Sequence, residues 1–182
     1  MYNDDTIVIR RATFRDINEL CDIYLNLSSE AKRFFHPFPF NRRKLQIIFF
    51  IMILCDRLIK IIKHIIPKLG MTLLVAYDKN ESKIVGFFYL HIIGKENGIL
   101  VANYGLTVRE GMRSKGIGTR MEAAIIERAK QIKIGKIRIT VLEDNIAAIR
   151  LYKKFGLKII GYTNDDYWEG RYEKNLLLEL DL

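Results

Sequence analysis

The stretch Tyr104–Thr119, YGLTVREGMRSKGIGT, decides how this chain is read. An apolar run is followed by a charged bend and by two glycines that open a long amphipathic pattern. That order predicts a strand, a tight loop and a helix start, with Arg113, Lys115, Gly116 and Gly118 at the junction. The first turn of a helix has unpaired N–H groups and the positive end of the dipole, so such a junction suits an anion, phosphate above all. Glycine at 116 and 118 lets the backbone itself approach the ligand.

Two familiar phosphate loops do not fit. Gly111 and Gly116 have the separation of a P-loop, but Ile117 and Gly118 follow where lysine and a hydroxyl are needed. A dinucleotide fingerprint needs a third glycine at 121, where the chain has Met121. What stands here is Arg-x-x-Gly-x-Gly, Arg113-Ser114-Lys115-Gly116-Ile117-Gly118, directly after a strand ending at Val108. Downstream, Asn145-Ile146-Ala147-Ala148-Ile149-Arg150-Leu151-Tyr152 predicts a helix that places Asn145, Ala148 and Tyr152 on one side, with Gly156 as its C-terminal cap. The first pattern resembles motif A of the GCN5-related N-acetyltransferase (GNAT) superfamily. The second, N-x-x-A-x-x-L-Y-x-x-x-G-[FL], resembles motif B, at the expected distance. The motif detail covers about 100–182, and the order of elements covers the whole chain.

The resemblance implies an α/β fold with a seven-stranded, mostly antiparallel mixed sheet flanked by helices, the acyl-CoA N-acyltransferase fold. Strands 4 and 5 of that fold are parallel but splayed, and coenzyme A enters between them. It further implies that the backbone of Leu106, Thr107 and Val108 pairs with the pantetheine. Arg113, Ser114, Lys115, Gly116, Ile117, Gly118 and Thr119 would hold the pyrophosphate, Asn145 would contact the cofactor from the other arm, and Tyr152 would sit near its sulfur. The implied reaction is direct acetyl transfer from acetyl-CoA to a primary amine, whether a protein N-terminus, a lysine or a small molecule. Tyr152, a phenol protonated at neutral pH, is the expected general acid for the leaving thiolate. The base is left open among Glu96, Tyr104 and a water chain. Backbone N–H groups freed by a bulge at Gly105–Leu106 are expected to stabilise the reacting oxygen. The alternative on the same fold is a catalytically silent acyl-CoA sensor.

The rest of the sequence sets bounds. At 182 residues, 49% apolar and 28% charged, the chain reads as one domain over 1–182. Cys21 and Cys55 have no metal-ligand or disulfide spacing, and no metal is expected. The polar, acidic opening Met1–Asp5 is unlike a secretory leader, so a cytoplasmic location is the expectation. A net charge of +9 suits an anionic cofactor, and no nucleic-acid motif accompanies it.

Thr6–Ala12 reads as the first strand. Thr13 and Asp16 approximate a capping box for a helix over roughly 14–27. The segment 28–70 reads as a variable, substrate-side helical region. Its aromatic loop Phe34–Phe40 carries His36, and a long helix follows from Arg42 to about Ile66. There Ile48, Met52, Cys55, Ile59, Ile62 and Ile66 form a stripe, with Lys63 assigned to another side. The helix is expected to be buried on two faces, with dimerisation or cover for the substrate site as the other uses. Asp56 and Arg57 stop its apolar run well short of the ~20 residues of a membrane span. A hairpin over Met71–Ile93, the strand Ile99–Val108, a helix closed by Gly135, the strand Ile137–Val141 and two last strands, Lys158–Tyr167 and Arg171–Leu182, complete the prediction.

Overall fold

The computed structural model describes residues 6–182, apart from the side chains at 165–167 and 171; the opening Met1–Asp5 lies outside the described residues. Seven strands make one sheet: β1 (Ile7–Arg11), β2 (Met71–Asp78), β3 (Lys83–Glu96), β4 (Ile99–Val108), β5 (Lys136–Leu142), β6 (Lys158–Trp168) and β7 (Arg171–Asp181). Their order is β1-β2-β3-β4-β5-β7-β6. The five helices are α1 (Ile17–Leu25), α2 (Ser29–Phe34), α3 (Arg42–Ile65), α4 (Ile117–Gln131) and α5 (Ile146–Lys154). Strand side chains alternate between two apolar clusters, as the two-residue period requires. Leu73, Val75 and Phe87 pack with Leu20, Tyr24, Leu45 and Phe49 of α1 and α3. Leu74, Ala76, Phe88 and Leu90 pack with Met121, Ile125 and Ile149 of α4 and α5.

Every strand pairing is antiparallel except β4 with β5, and that one is short: Val101 with Lys136 and Ala102 with Ile137. Beyond Ala102 the two strands part, while β5 stays paired to β7 as far as Leu142. The sheet therefore opens into a V along the second half of β4. The sequence expects a bulge at Gly105, and this is corrected. Gly105 pairs in register with Tyr89, and the irregularity in β3–β4 lies at Ile92–Gly94. Gly105 serves close approach instead. A Cβ there would lie 2.7 Å from Phe35 Cε2 and 2.9 Å from Tyr89 Cε1.

The expected packing of α3 is also corrected. Its buried face is Leu45, Phe49, Met52, Ile53, Cys55, Asp56, Ile59 and Lys63, whereas Ile48 and Ile62 are half-buried and Ile66 is exposed. Two charged residues share the packed side because each finds a partner there. Asp56 is bridged by Arg11 and Arg128, at 2.5 and 3.1 Å, and Lys63 Nζ donates to the carbonyl of Ile132 at 2.9 Å. The helix is thus buried on one face, and a row of large apolar side chains remains exposed on another. The short helix α2, capped by Ser28 accepting from the Ala31 N–H, lies within the segment 28–70 read as helical, where the sequence set it no bounds of its own. No helix among the described residues is long and apolar enough to cross a membrane.

Candidate functional site

The V between β4 and β5 holds a cavity of about 780 Å³. One wall is the loop and helix that follow β4. Ser114 and Gly116 take positive φ values of 61° and 76°, which turn the chain sharply into α4. Gly116 is the N-cap, and no side chain caps α4, so the N–H groups of its first turn are left for a ligand. A Cβ at Gly116 would meet nothing within 4 Å, and one at Gly118 only Leu151 Cδ2 at 3.7 Å. The protein does not fill the space beside these glycines. A bare helix start, bordered by open space and by Arg113, fits a diphosphate.

Of the residues singled out in the sequence, Leu106, Thr107, Val108, Arg113, Ser114, Gly116, Ile117, Gly118, Thr119, Asn145 and Tyr152 all line the cavity. Lys115 does not; its ammonium lies 3.5 Å from Met112 Sδ. Asn145 lines the cavity while serving as N-cap of α5, its Oδ1 accepting from the Ala148 N–H at 3.2 Å. Two of the three expected bases are displaced. Glu96, the last residue of β3, is ion-paired with Arg138 and lies outside the lining. Tyr104 lines the cavity, but its hydroxyl donates to Glu122.

Glu122 is the residue that sequence reading missed. It falls within the amphipathic pattern of α4, where a glutamate reads as solvated surface, yet it is fully buried. One carboxylate oxygen accepts from Tyr104, and Oε2 is buried with no hydrogen-bond partner. Tyr104 packs edge-on against Tyr152, ring centres 5.9 Å apart. Burial pushes the Tyr152 phenol above the ordinary tyrosine range, and the charges of Glu122 and Tyr89 push it the same way. Burial likewise raises Tyr104, with Glu122 and Tyr152 adding to it, and raises Tyr89 to about 12. All three phenols hold their protons at neutral pH.

The Glu122 carboxyl itself is pushed up to about 7 by burial, against the opposing hydrogen bond from Tyr104. Its effect on stability has a definite sign. Below the ordinary value of 4.5 the group is neutral whether the chain is folded or not. Between there and about 7 the unfolded chain gives up the proton first, so stability falls as pH rises and levels off above 7. The shift corresponds to about 3 kcal/mol. Glu122→Gln should remove this slope. In urea unfolding the variant is expected to match the parent near pH 4 and exceed it by about 2–3 kcal/mol at pH 8. An unchanged difference across that range would show that the carboxyl titrates normally.

The opposite wall comes from the segment after α1. Phe35, His36 and Pro37 line it with Tyr89. His36 Nδ1 faces the carbonyls of Arg33 and Lys32 at 2.9 and 3.2 Å, so that nitrogen carries a proton and donates. Its ring lies 4.7 Å from that of Trp168. Arg33 ties α2 across to the β5–β7 arm of the V, reaching Asp144 at 2.7 Å and Glu173 at 3.0 Å. Asn103 lines the cavity with its Oδ1 buried and without a protein partner, an acceptor that a ligand N–H or a water can meet. Neither Asp nor Glu appears among the described lining residues, and no group of metal-ligating side chains occurs among the described residues.

Comparison with known proteins bears on what enters this cleft. The model of the acetyltransferase (GNAT) family matches residues 30–157. The L-amino acid N-acetyltransferase AaaT of Escherichia coli (strain K12) is 27% identical over 82 residues, 44% of this chain and 51% of that protein. The spermine/spermidine N(1)-acetyltransferase of Bacillus subtilis (strain 168) is 36% identical over 55 residues, 30% of this chain and 36% of the relative. The matched stretch thus spans about half, or less, of the length of these curated relatives. In overall fold the chain is similar to yncA, a putative acetyltransferase from Salmonella typhimurium solved with its cofactor acetyl-CoA. The TM-score is 0.75 at 17% identity, covering 97% of this chain and 94% of that one.

Proposed function

Since the chain belongs to the acetyltransferase (GNAT) family, we propose that it transfers an acetyl group from acetyl-CoA directly to a primary amine. The observation that carries this reading is the splayed V itself, with an uncapped helix start at one end and the buried phenol of Tyr152 beside it. Arg113 and the backbone of 114–119 would hold the diphosphate. The backbone of Leu106, Thr107 and Val108, left without a partner strand on the β5 side, would pair with the pantetheine as with an added strand. Lys115 adds charge nearby rather than contact, and Asn145 contributes through what its cap leaves available.

Acetyl-CoA supplies, when bound, a thioester whose acetyl carbon bonds to the amine nitrogen as its bond to sulfur breaks. The protein has three tasks around that exchange. An ammonium at pKa ~10.4 has no lone pair, so the acceptor must give up a proton on the Phe35–His36 wall. His36, the one imidazole among the described lining residues, would take that proton directly or through water. The N–H groups of β4 beyond Ala102, freed by the splay rather than by a bulge, stabilise negative charge on the acetyl oxygen. Tyr152 gives its proton to the departing sulfur.

The acceptor side favours an amine with a neutral or aromatic body. Phe35, Tyr89 and His36 form that wall, and the acids near the mouth, Asp144 and Glu173, are held by Arg33. A polyamine needs carboxylates that the described lining lacks. The cytoplasm is the location in keeping with two buried, unpaired thiols, Cys21 and Cys55. The test is an acceptor panel of amino acids, N-terminal peptides, lysine peptides, arylalkylamines and polyamines, read as free thiol released from acetyl-CoA. Amine-dependent release is expected, strongest with an apolar or aromatic amine. Tight coenzyme A binding with no turnover across the panel would point to the silent sensor instead.

A further inference from the structure

The long helix α3 carries a second apolar row that its own domain does not cover. Ile47, Ile51, Leu54, Leu58, Ile61 and Ile65 are spaced 4-3-4-3-4 and are all exposed, from 44% at Leu54 to 72% at Ile65. None of them lines the cavity. The spacing is the a/d pattern of a heptad repeat, held over the length of the helix. A row with period 3.5 is what a second helix of the same period grips with knobs into holes. With the neighbouring Phe50, also exposed, the row presents on the order of 700 Å² of apolar surface. That exceeds the ~300–600 Å² of a typical monomer's largest patch and is close to the ~800 Å² per partner of a standard interface.

We infer that α3 is a dimerisation helix, pairing in parallel with α3 of a second copy of this chain along the Ile47–Ile65 row. The charges at its borders choose the partner and its direction. One border, the g positions, is basic: Arg43, Arg57 and His64 are exposed, interrupted by Phe50. The other border, the e positions, is Ile48, Cys55 and Ile62, uncharged and buried or half-buried. In a parallel pair each g border faces the partner's e border, so Arg57 lies beside Ile62 of the second copy and like charges stay apart. An antiparallel pair would set basic border against basic border. Lys44, one heptad before Ile51, closes the row at its N-terminal end. An anionic bilayer is the other surface a basic, apolar helix can meet, and it favours a broad apolar sector flanked by cations on both sides. This row is narrow and basic on one side only.

The experiment is light scattering on the full chain from ~1 to 50 µM, a range that spans a micromolar Kd. Twice the 21.3 kDa chain mass is expected. Leu54→Glu with Leu58→Glu should weaken the dimer at least 100-fold while leaving coenzyme A affinity and the folded circular dichroism spectrum unchanged. Direction is read from two single variants, Ile47→Cys and Ile61→Cys. Each should cross-link to its own kind on oxidation if the helices run parallel, and neither should if they run antiparallel. A monomer at 50 µM, a dimer untouched by the double charge substitution, or a monomer that sediments with phosphatidylserine vesicles would each overturn the inference. The vesicle result would assign the row to a membrane surface.

Discussion

Replacing Tyr152 by phenylalanine is expected to lower kcat by ~10²–10⁴-fold while affinity for coenzyme A stays within about threefold. The two effects separate because the ring and the hydroxyl do different things. The ring packs against Tyr104 inside the cluster under α4 and α5, and phenylalanine keeps that packing. The hydroxyl is the group that carries a proton to the sulfur. Its surroundings set it up for giving rather than taking. Burial first, and then the negative charge of an ionised Glu122, hold the phenol protonated. A residue raised in this way is a poor base and, at neutral pH, a fully loaded acid. Single-turnover measurements with saturating acetyl-CoA would read the chemical step, and calorimetry with coenzyme A would read binding. If Tyr152→Phe turned over at the parent's rate, the proton would have to reach sulfur from water, and the assignment would fail. If both kcat and coenzyme A affinity collapsed together, the ring would be a wall of the site and not its acid.

How far this could be read from the chain depends on which residues report on themselves. Arg113-x-x-Gly116-x-Gly118 and Asn145…Tyr152 are local patterns, and local patterns fix a loop, a helix start and a helix face. From these the wall of the cleft built by β4 and the loop after it was legible, down to the strand Ile99–Val108, whose ends match the prediction. The parallel pairing of β4 with β5 followed from the crossover between them. Where the reading failed, the deciding contact was far away in sequence. Lys63 was assigned to a side away from the apolar stripe because its partner, the carbonyl of Ile132, is 69 positions on. Glu122 is of a type that reads as surface on an amphipathic helix, and only its contact with Tyr104 of β4, 18 positions back, shows that it faces inward. The bulge at Gly105 was inferred from a glycine in a strand. A glycine there reports equally well that another side chain, here Phe35, must come close. The apolar stripe of α3 has the same ambiguity. A helix apolar on most sides does not say which row faces inward, and the answer came from Asp56 meeting Arg11 and Arg128.

The second large effect is expected at the other end of the cleft. Gly118→Asp should weaken coenzyme A binding by ~30–1,000-fold without loss of stability, because protein and ligand see that position differently. Gly118 lies in the first turn of α4 and has no positive φ. A Cβ there would touch only Leu151 Cδ2, at an ordinary 3.7 Å, so the folded chain accepts a side chain. Aspartate in the first turn of a helix also complements its dipole, a gain of ~0.3–1 kcal/mol. For a diphosphate approaching the same N–H groups, the new carboxylate is a like charge a few ångströms away. At an effective dielectric of 20 that repulsion is about 4 kcal/mol at 4 Å, less what solvent screens, leaving ~2–4 kcal/mol. Gly118→Ala is the control for size alone and should lose far less. Thermal unfolding and titration with coenzyme A on the three proteins give both quantities. The expected pattern is a melting temperature at or above the parent's for Gly118→Asp, together with the loss of affinity. Unchanged affinity in that variant would mean that the diphosphate does not lie on the α4 terminus, and the reading of the cleft would have to be rebuilt from its other wall.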